Sequence, residues 1–251
     1  MNNTQLLGSQ TAKNGFRNED DIINKFNCWE ADEDAQKWLT IMQYNLAEID
    51  NVKAIKLRGY KTDVQIQISI KLKEVIGVEN LQVKLVSSQK GFNQVDKRWV
   101  NKYAEMWQMP DEIITIFKKY TGEIPPSITN PKNNRRMFFH EFTAAEQAIT
   151  YSWLKQNKTL IVSDILRGQG RFAAEWMLVA QKTSTHSRWV LKPMNFCLNF
   201  FGNDDISITE RGNFKIGKIT MQRKGGDAGR DSAKMLQFKI DPTELFKTVH
   251  T

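Results

Sequence analysis

The sequence is poor in the residues that thiolate and histidine chemistry require. It has two cysteines, Cys28 and Cys197, far apart and outside any CxxC pair, too few for a zinc site and no basis for a disulfide framework. Reduced, structural thiols are expected. Its three histidines, His140, His186 and His250, stand isolated, which leaves little from which to assemble a zinc hydrolase or a His-based nuclease. No apolar run approaches the length that crosses a bilayer, so no membrane association is expected. The opening residues MNNTQLLGSQ lack a basic start followed by an apolar stretch, so secretion is not expected and the cytoplasm is the default location. Internal repeats are also missing. Any catalysis must therefore rest on carboxylates and lysine.

Positive charge is what the chain has in excess: 36 Lys and Arg against 28 Asp and Glu, a formal net charge of +8. Such a balance favours a polyanionic partner, because each cation placed on a nucleic-acid phosphate releases condensed counterions. At 251 residues the chain can bury one large core, and it is read as a single domain, 1–251, with insertions.

Periodicity gives the elements. NGFRNEDDIINKF predicts a helix with Phe16, Ile23 and Phe26 on its apolar stripe, Asn14 as N-cap, and Glu19 on that same stripe. EDAQKWLTIMQYNLAEI predicts a second helix with Ala35, Trp38, Leu39, Met42, Leu46 and Ile49 on one face. The clearest strand has Val64, Ile66, Ile68, Ile70 and Leu72 alternating with Asp63, Gln65, Gln67, Ser69 and Lys71. After an EVIGVEN connection, LQVKLV alternates again, with Leu81, Val83 and Leu85 opposed to Gln82 and Lys84, and the two runs are expected to pair antiparallel. GFNQVDKRW reads as a polar loop, followed by a helix with Trp99, Tyr103 and Trp107 that ends at Pro110. The Pro- and Asn-rich EIPPSITNPKNNRR reads as a loop, and Thr143 with Glu146 forms a capping box for a helix through Trp153 and Leu154. The last third is expected to be β-rich, with strands at TLIVS, EWMLVAQ, DISIT, KIGKITMQ and MLQFKI. RKGGDAGR lies between the last two, where its glycines allow close backbone approach to a ligand or simply form a solvated hairpin tip.

Phosphodiester hydrolysis near neutral pH needs a metal ion to activate water, and magnesium prefers oxygen ligands. Asp63 supplies a carboxylate at a strand start, Gln82 an amide oxygen and Val83 a main-chain carbonyl. Lys84, on the same face as Gln82, can orient the attacking water and offset charge on phosphate. A solvated sheet face is the alternative. Glu19, an acid on an apolar stripe, is a further candidate, although an ordinary ion pair would account for it equally well.

Beyond these residues, the segments TAKNGFRNEDDI, GYKTDVQIQ, LQVKLVSSQKGFNQVDKRW, NNRRMFFHEF, SDILRGQGRFAAEWMLVAQK and QRKGGDAGRDSAKMLQFKIDPTELF carry a resemblance over nearly the whole chain. It resembles type II restriction endonucleases of the HinP type, which cut GCGC, within the PD-(D/E)XK nuclease superfamily. The resemblance implies an α/β fold with a central mixed sheet flanked by helices, a catalytic core at about 11–110 and a β-rich DNA-recognition region at about 158–251. It implies magnesium-dependent cleavage of double-stranded DNA to 5′-phosphate ends at a short GC-rich palindrome, with Asp63, Gln82 and Lys84 as the active site and Glu19 assisting. Gln82 departs from the superfamily's Asp or Glu as this family does, and a neutral amide should bind metal more weakly. Gln94 matches a residue that enters the DNA between base pairs, with Asn93 and Lys97 as neighbouring contacts. Gln222, Arg223 and Lys224 suit base reading, and Arg230 suits a phosphate. The expected partners are DNA and a cognate methyltransferase of a restriction-modification system, with a monomer or weak homodimer as the working unit. Two rival readings are a repair nuclease of the same fold and a DNA-binding protein that has lost catalysis.

Overall fold

The computed structural model describes residues 3–59, 61–70, 75–226 and 230–248. Its helices are α1 (Asn3–Asn27), α2 (Glu33–Ile41), α3 (Val100–Trp107), α4 (Asp111–Thr121), α5 (Ala144–Gln156), α6 (Lys158–Leu166) and α7 (Met194–Gly202). Its strands are β1 (Ile49–Lys56), β2 (Val64–Ile70), β3 (Val75–Val86), β4 (Asn93–Arg98), β5 (Trp176–Lys182), β6 (Ser187–Pro193), β7 (Ile206–Ile208), β8 (Phe214–Ile216), β9 (Ile219–Arg223) and β10 (Leu236–Ile240). They gather into two compact units, each built from separate stretches of chain. Among the described residues no helix is long and apolar enough to cross a membrane.

The first unit comprises Leu6–Gly91, Arg167–Cys197 and Pro242–Thr251. Its five-stranded sheet runs β1-β2-β3-β5-β6, antiparallel except where β3 and β5 lie parallel. Asp32 caps α2 by accepting from the Ala35 N–H at 2.9 Å, satisfying a donor the helix leaves open. Ile22 and Phe26 of α1 and Trp38 and Leu39 of α2 pack with Val64, Ile66, Leu81 and Val83 of the sheet in one apolar cluster. This is a mixed sheet flanked by helices, as expected.

The second unit comprises Met1–Gln5, Phe92–Leu166 and Leu198–Asp241. Its sheet runs β4-β10-β9-β8-β7 and is antiparallel throughout. The Thr143 hydroxyl accepts from the Glu146 N–H and Glu146 accepts from the Thr143 N–H, the reciprocal box that starts α5. Tyr103 and Trp107 stack at 4.6 Å and meet Phe238 edge-on. Burial pushes the Tyr103 hydroxyl well above its usual range, and Asp96, 2.6 Å away, reinforces the shift.

The structure departs from the sequence reading in several places. Helix α1 runs straight through Asn14, which caps nothing, and Phe16 is 56% exposed while Asn18, Ile22 and Phe26 form the buried stripe. α2 stops at Ile41, and the residues after it turn through a 3₁₀ segment into β1, so Met42, Leu46 and Ile49 reach the same core from different elements. VIGVEN is strand, not connection, because β3 pairs with β2 from Val75 onward; Lys71 and Leu72 lie outside the described residues. GFNQVDKRW holds β4 in place of a loop, since Asn93–Arg98 finds β10 as a distant partner. TLIVS lies in α6, where Ile161, Val162, Ile165 and Leu166 are buried at helical spacing. KIGKITMQ splits at Gly217 into β8 and β9, and β6 and α7 had no counterpart in the pattern.

Gly77 explains why β3 can begin so early. A Cβ there would collide with the Tyr44 hydroxyl, which donates to Glu79 at 2.8 Å. Gly77→Ala is expected to lower stability by about 1–3 kcal/mol through overpacking, whereas Gly15→Ala, where an added Cβ meets nothing within 4 Å, should raise it by about 0.5–1 kcal/mol. Urea denaturation of the two variants checks the pair, and equal effects would contradict the packing described.

Candidate active site

β2 and β3 pair with Val64 opposite Leu81, and this register sets the site. Asp63, just before β2, is tied to β3 twice. Its N–H donates to the Leu81 carbonyl at 2.8 Å, and its Oδ2 accepts from the Val83 N–H at 2.7 Å. Strand alternation turns Leu81 and Val83 into the apolar core and puts Gln82 and Lys84 together on the other face. Gln82 is only 1% exposed, yet its Oε1 has no hydrogen-bond partner among the described residues. A buried acceptor left in that state costs free energy until a donor or a cation meets it.

Glu19, from α1, belongs to the same electrostatic neighbourhood. Burial raises its pKa, a hydrogen bond from Lys56 opposes that shift, Asp63 adds repulsion, and Lys84 adds attraction. Lys56 binds Glu19 at 2.9 Å and Asp20 at 3.0 Å. The ion-pair explanation of Glu19 is thus present, and the acid lies within the field of Asp63 and Lys84 as well. Lys56 itself was not recognised in the sequence, because the expected second helix ended at Ile49 and the residues of β1 after it were assigned to no element.

Asp63, Gln82, Val83, Lys84 and Glu19 therefore come together in one unit. Their donors are oxygens: a carboxylate on a strand end, an orphaned amide oxygen, a main-chain carbonyl and a half-buried carboxyl group. That set fits a hard divalent cation. Among the described residues no cluster of three or more His, Cys, Asp or Glu side chains is suited to a metal, so a cation here depends on the amide and carbonyl oxygens.

The remaining candidates lie in the second unit. Gln237 of β10 sits opposite Gln222 on β9 and opposite Lys97 on β4, making one cross-strand polar row. Gln94 is opposite Lys239 and accepts from the Gln237 amide at 2.7 Å. Asn93 is at the start of β4 and Lys224 just after β9. Gln237 and Lys239 were missed in the sequence because only the strand order reveals them. Arg223, opposite Leu236, belongs by alternation to the other face from Gln222, and Arg230 immediately precedes a 3₁₀ turn. Asp227, Ala228 and Gly229 of the glycine-rich tip lie outside the described residues.

The R.HinP1I restriction endonuclease family model matches residues 42–246, which includes Asp63, Gln82 and Lys84 and leaves Glu19 outside. Among solved structures, the restriction endonuclease MspI in complex with its cognate DNA is similar in fold, with a TM-score of 0.63 at 14% identity over 95% of this chain and 93% of that one. No curated protein matches the chain.

Because burial holds the Glu19 pKa above its usual 4.5, the folded state binds this proton more tightly than the unfolded chain does. The associated stability is present below that range and is lost as pH rises through the folded pKa. Removing the Lys56 ammonium should raise the Glu19 pKa further. A carboxyl-carbon NMR titration should place the Glu19 midpoint above 4.5 in the wild type and higher still in Lys56→Ala; an unmoved midpoint would disprove the coupling.

Proposed function

Because the chain belongs to the R.HinP1I restriction endonuclease family, we propose that it cuts double-stranded DNA at a short GC-rich palindrome, GCGC, in a magnesium-dependent hydrolysis that leaves 5′-phosphate ends. It is a type II restriction endonuclease, a site-specific deoxyribonuclease. The observation that supports the active site most directly is the pairing of Asp63, tied to Val83 at 2.7 Å, with the buried and unpartnered Oε1 of Gln82.

In this reading Asp63, Gln82 and the Val83 carbonyl would hold the metal ion. Magnesium, when bound, supplies Lewis acidity that offsets charge at the scissile phosphate. The Lys84 ammonium orients the attacking water and meets the charge that builds on the phosphate oxygens. Water adds to phosphorus in line with the departing 3′ oxygen, the P–O3′ bond breaks, and the phosphate remains on the 5′ end. Glu19, with its raised affinity for a proton, is placed near Asp63 to take up or return a proton.

Recognition falls to the second unit. The row formed by Gln222, Gln237 and Lys97, with Gln94 beside it, offers amide and ammonium groups on one sheet face, the chemistry that reads base edges. Asn93 and Lys224 extend it, and Gln94 enters the base stack in the proposed complex. Lys224 and Arg230 supply charge for phosphates. The protein is proposed to work as a monomer or weak homodimer in the cytoplasm. A host carrying such an activity must protect its own sites, so a methyltransferase of the same specificity is the proposed companion.

Incubating the purified protein with unmethylated phage DNA should give discrete fragments with magnesium and none with EDTA, and sequencing the ends reads the site directly. Lys84→Ala should cut at least about 100-fold more slowly while still binding its duplex. Asp63→Asn, which keeps an oxygen for the Val83 N–H but removes the charge, should do the same. Cutting by Lys84→Ala at the wild-type rate would overturn the assignment, and fragments without defined ends would indicate a nuclease that does not read sequence.

A further inference from the structure

The second unit contains a cavity of about 340 Å³ whose lining includes Arg135, Arg223, Arg230 and Lys234, with no Asp or Glu among the described residues that line it. Like charges converging on one space repel one another unless anions meet them, and Lys234 already has Asp231 at 3.1 Å. The Nε of Arg223 is buried there without a hydrogen-bond partner. Burial holds the Arg223 pKa below its usual range, and Arg136 and Arg135 push it further down.

The walls hold these charges in place. α4 ends in a left-handed Gly122, where any Cβ would strike the Arg135 carbonyl, so the backbone at Arg135 packs directly on the helix end. The Arg135 N–H donates to the Asn133 side chain at 2.9 Å. Arg136 lies over Phe138 at 4.0 Å and over Tyr120 at 5.6 Å, so it adds positive potential while its guanidinium stays against the two rings.

We propose that this cavity holds a non-scissile phosphate of the DNA backbone and that Arg135 is one of the residues gripping it. The inference rests on the DNA-cutting reading given above and adds to it a contact in the 123–136 loop. A tetrahedral phosphate presents acceptors in several directions and suits cations arriving from a loop, a strand end and the segment around Arg230. A base edge presents acceptors in one plane and needs a single guanidinium. Arg223 also belongs to the sheet face opposite Gln222, apart from the Gln222–Gln237–Lys97 row, so the cavity and that row make separate contacts.

The test is binding of labelled cognate and random duplexes in EDTA between 50 and 200 mM salt, roughly the range over which counterion release dominates affinity. The proteins compared are the wild type, Arg135→Ala and Arg135→Lys. Arg135 is exposed, and a native thermal melt confirms that its variants are folded. Arg135→Ala should make the slope of log affinity against log salt shallower by about 0.9 and weaken both duplexes by the same factor, with Arg135→Lys keeping the wild-type slope. An unchanged slope and affinity in Arg135→Ala would overturn the proposal. So would a loss confined to the cognate duplex, which would make Arg135 a base reader. Titration with inorganic phosphate separates the remaining source: phosphate binding that Arg135→Ala abolishes, with DNA binding untouched, would assign the cavity to a free phosphate and overturn the DNA contact. A wild-type protein that binds no duplex would overturn the DNA-cutting reading itself, and is distinguished by appearing before any substitution is made.

Discussion

Everything in the candidate active site depends on the register of β2 against β3. Side chains alternate along a strand, so a slip of one residue would send Gln82 and Lys84 into the apolar cluster and turn Leu81 and Val83 outward. Val64, Ile66, Leu81 and Val83, all buried, resist that slip through the area they remove from water. Asp63 adds a second lock: its backbone and its carboxylate both bond to β3, to Leu81 and to Val83. The carboxylate proposed to hold metal is thus also part of the connection between the strands. This is why a charge-removing substitution that keeps the oxygen separates chemistry from architecture better than alanine does.

The same locality explains how much could be read from the sequence. Asp63, Gln82 and Lys84 stand on two adjacent strands whose alternation is visible in the text, so the expected antiparallel pairing and the shared face of Gln82 and Lys84 match the structure. The helices around Trp38 and Tyr103 and the Thr143 capping box were legible for the same reason. Elements that take their conformation from distant partners were not. Asn93–Arg98 became a strand only because β10, some 140 residues on, pairs with it, and the Gln222–Gln237–Lys97 row exists only in the order of the sheet. KTLIVSDIL shows the opposite failure: its β-branched residues suggest a strand, yet its buried positions follow a helical period.

The two units divide the candidate residues without remainder. Glu19, Asp63, Gln82, Val83 and Lys84 belong to the first, and Asn93, Gln94, Lys97, Gln222, Arg223, Lys224 and Arg230 to the second. The first set lies within the one stretch Leu6–Gly91, whereas the second is drawn from two stretches, Phe92–Leu166 and Leu198–Asp241. Each set is assembled by a separate sheet with its own core. In the proposed reading, a substitution on β9 or β10 therefore changes which groups would face the DNA without touching the strand register that places Asp63 against Val83. Sequence preference and chemistry can vary independently in such an architecture.

Gln82, proposed as a neutral metal ligand, has a physical rationale in its surroundings. The charged groups gathered there are Asp63, Glu19 and Asp20 with Lys56 and Lys84, so the carboxylates already outnumber the ammonium groups before any cation arrives. A glutamate at position 82, which is only 1% exposed, would add a further, buried carboxylate to that excess, and such a charge is costly unless paired. The amide avoids that cost and leaves an oxygen without a hydrogen-bond partner among the described residues, open to the proposed cation. In the proposed metal site the consequence would be weaker attraction for the ion, because Gln82 would contribute a dipole in place of a charge. The balance between a site that folds empty and a site that binds tightly is therefore set by a single atom, the Oε1 of Gln82, held in place by the register of two strands.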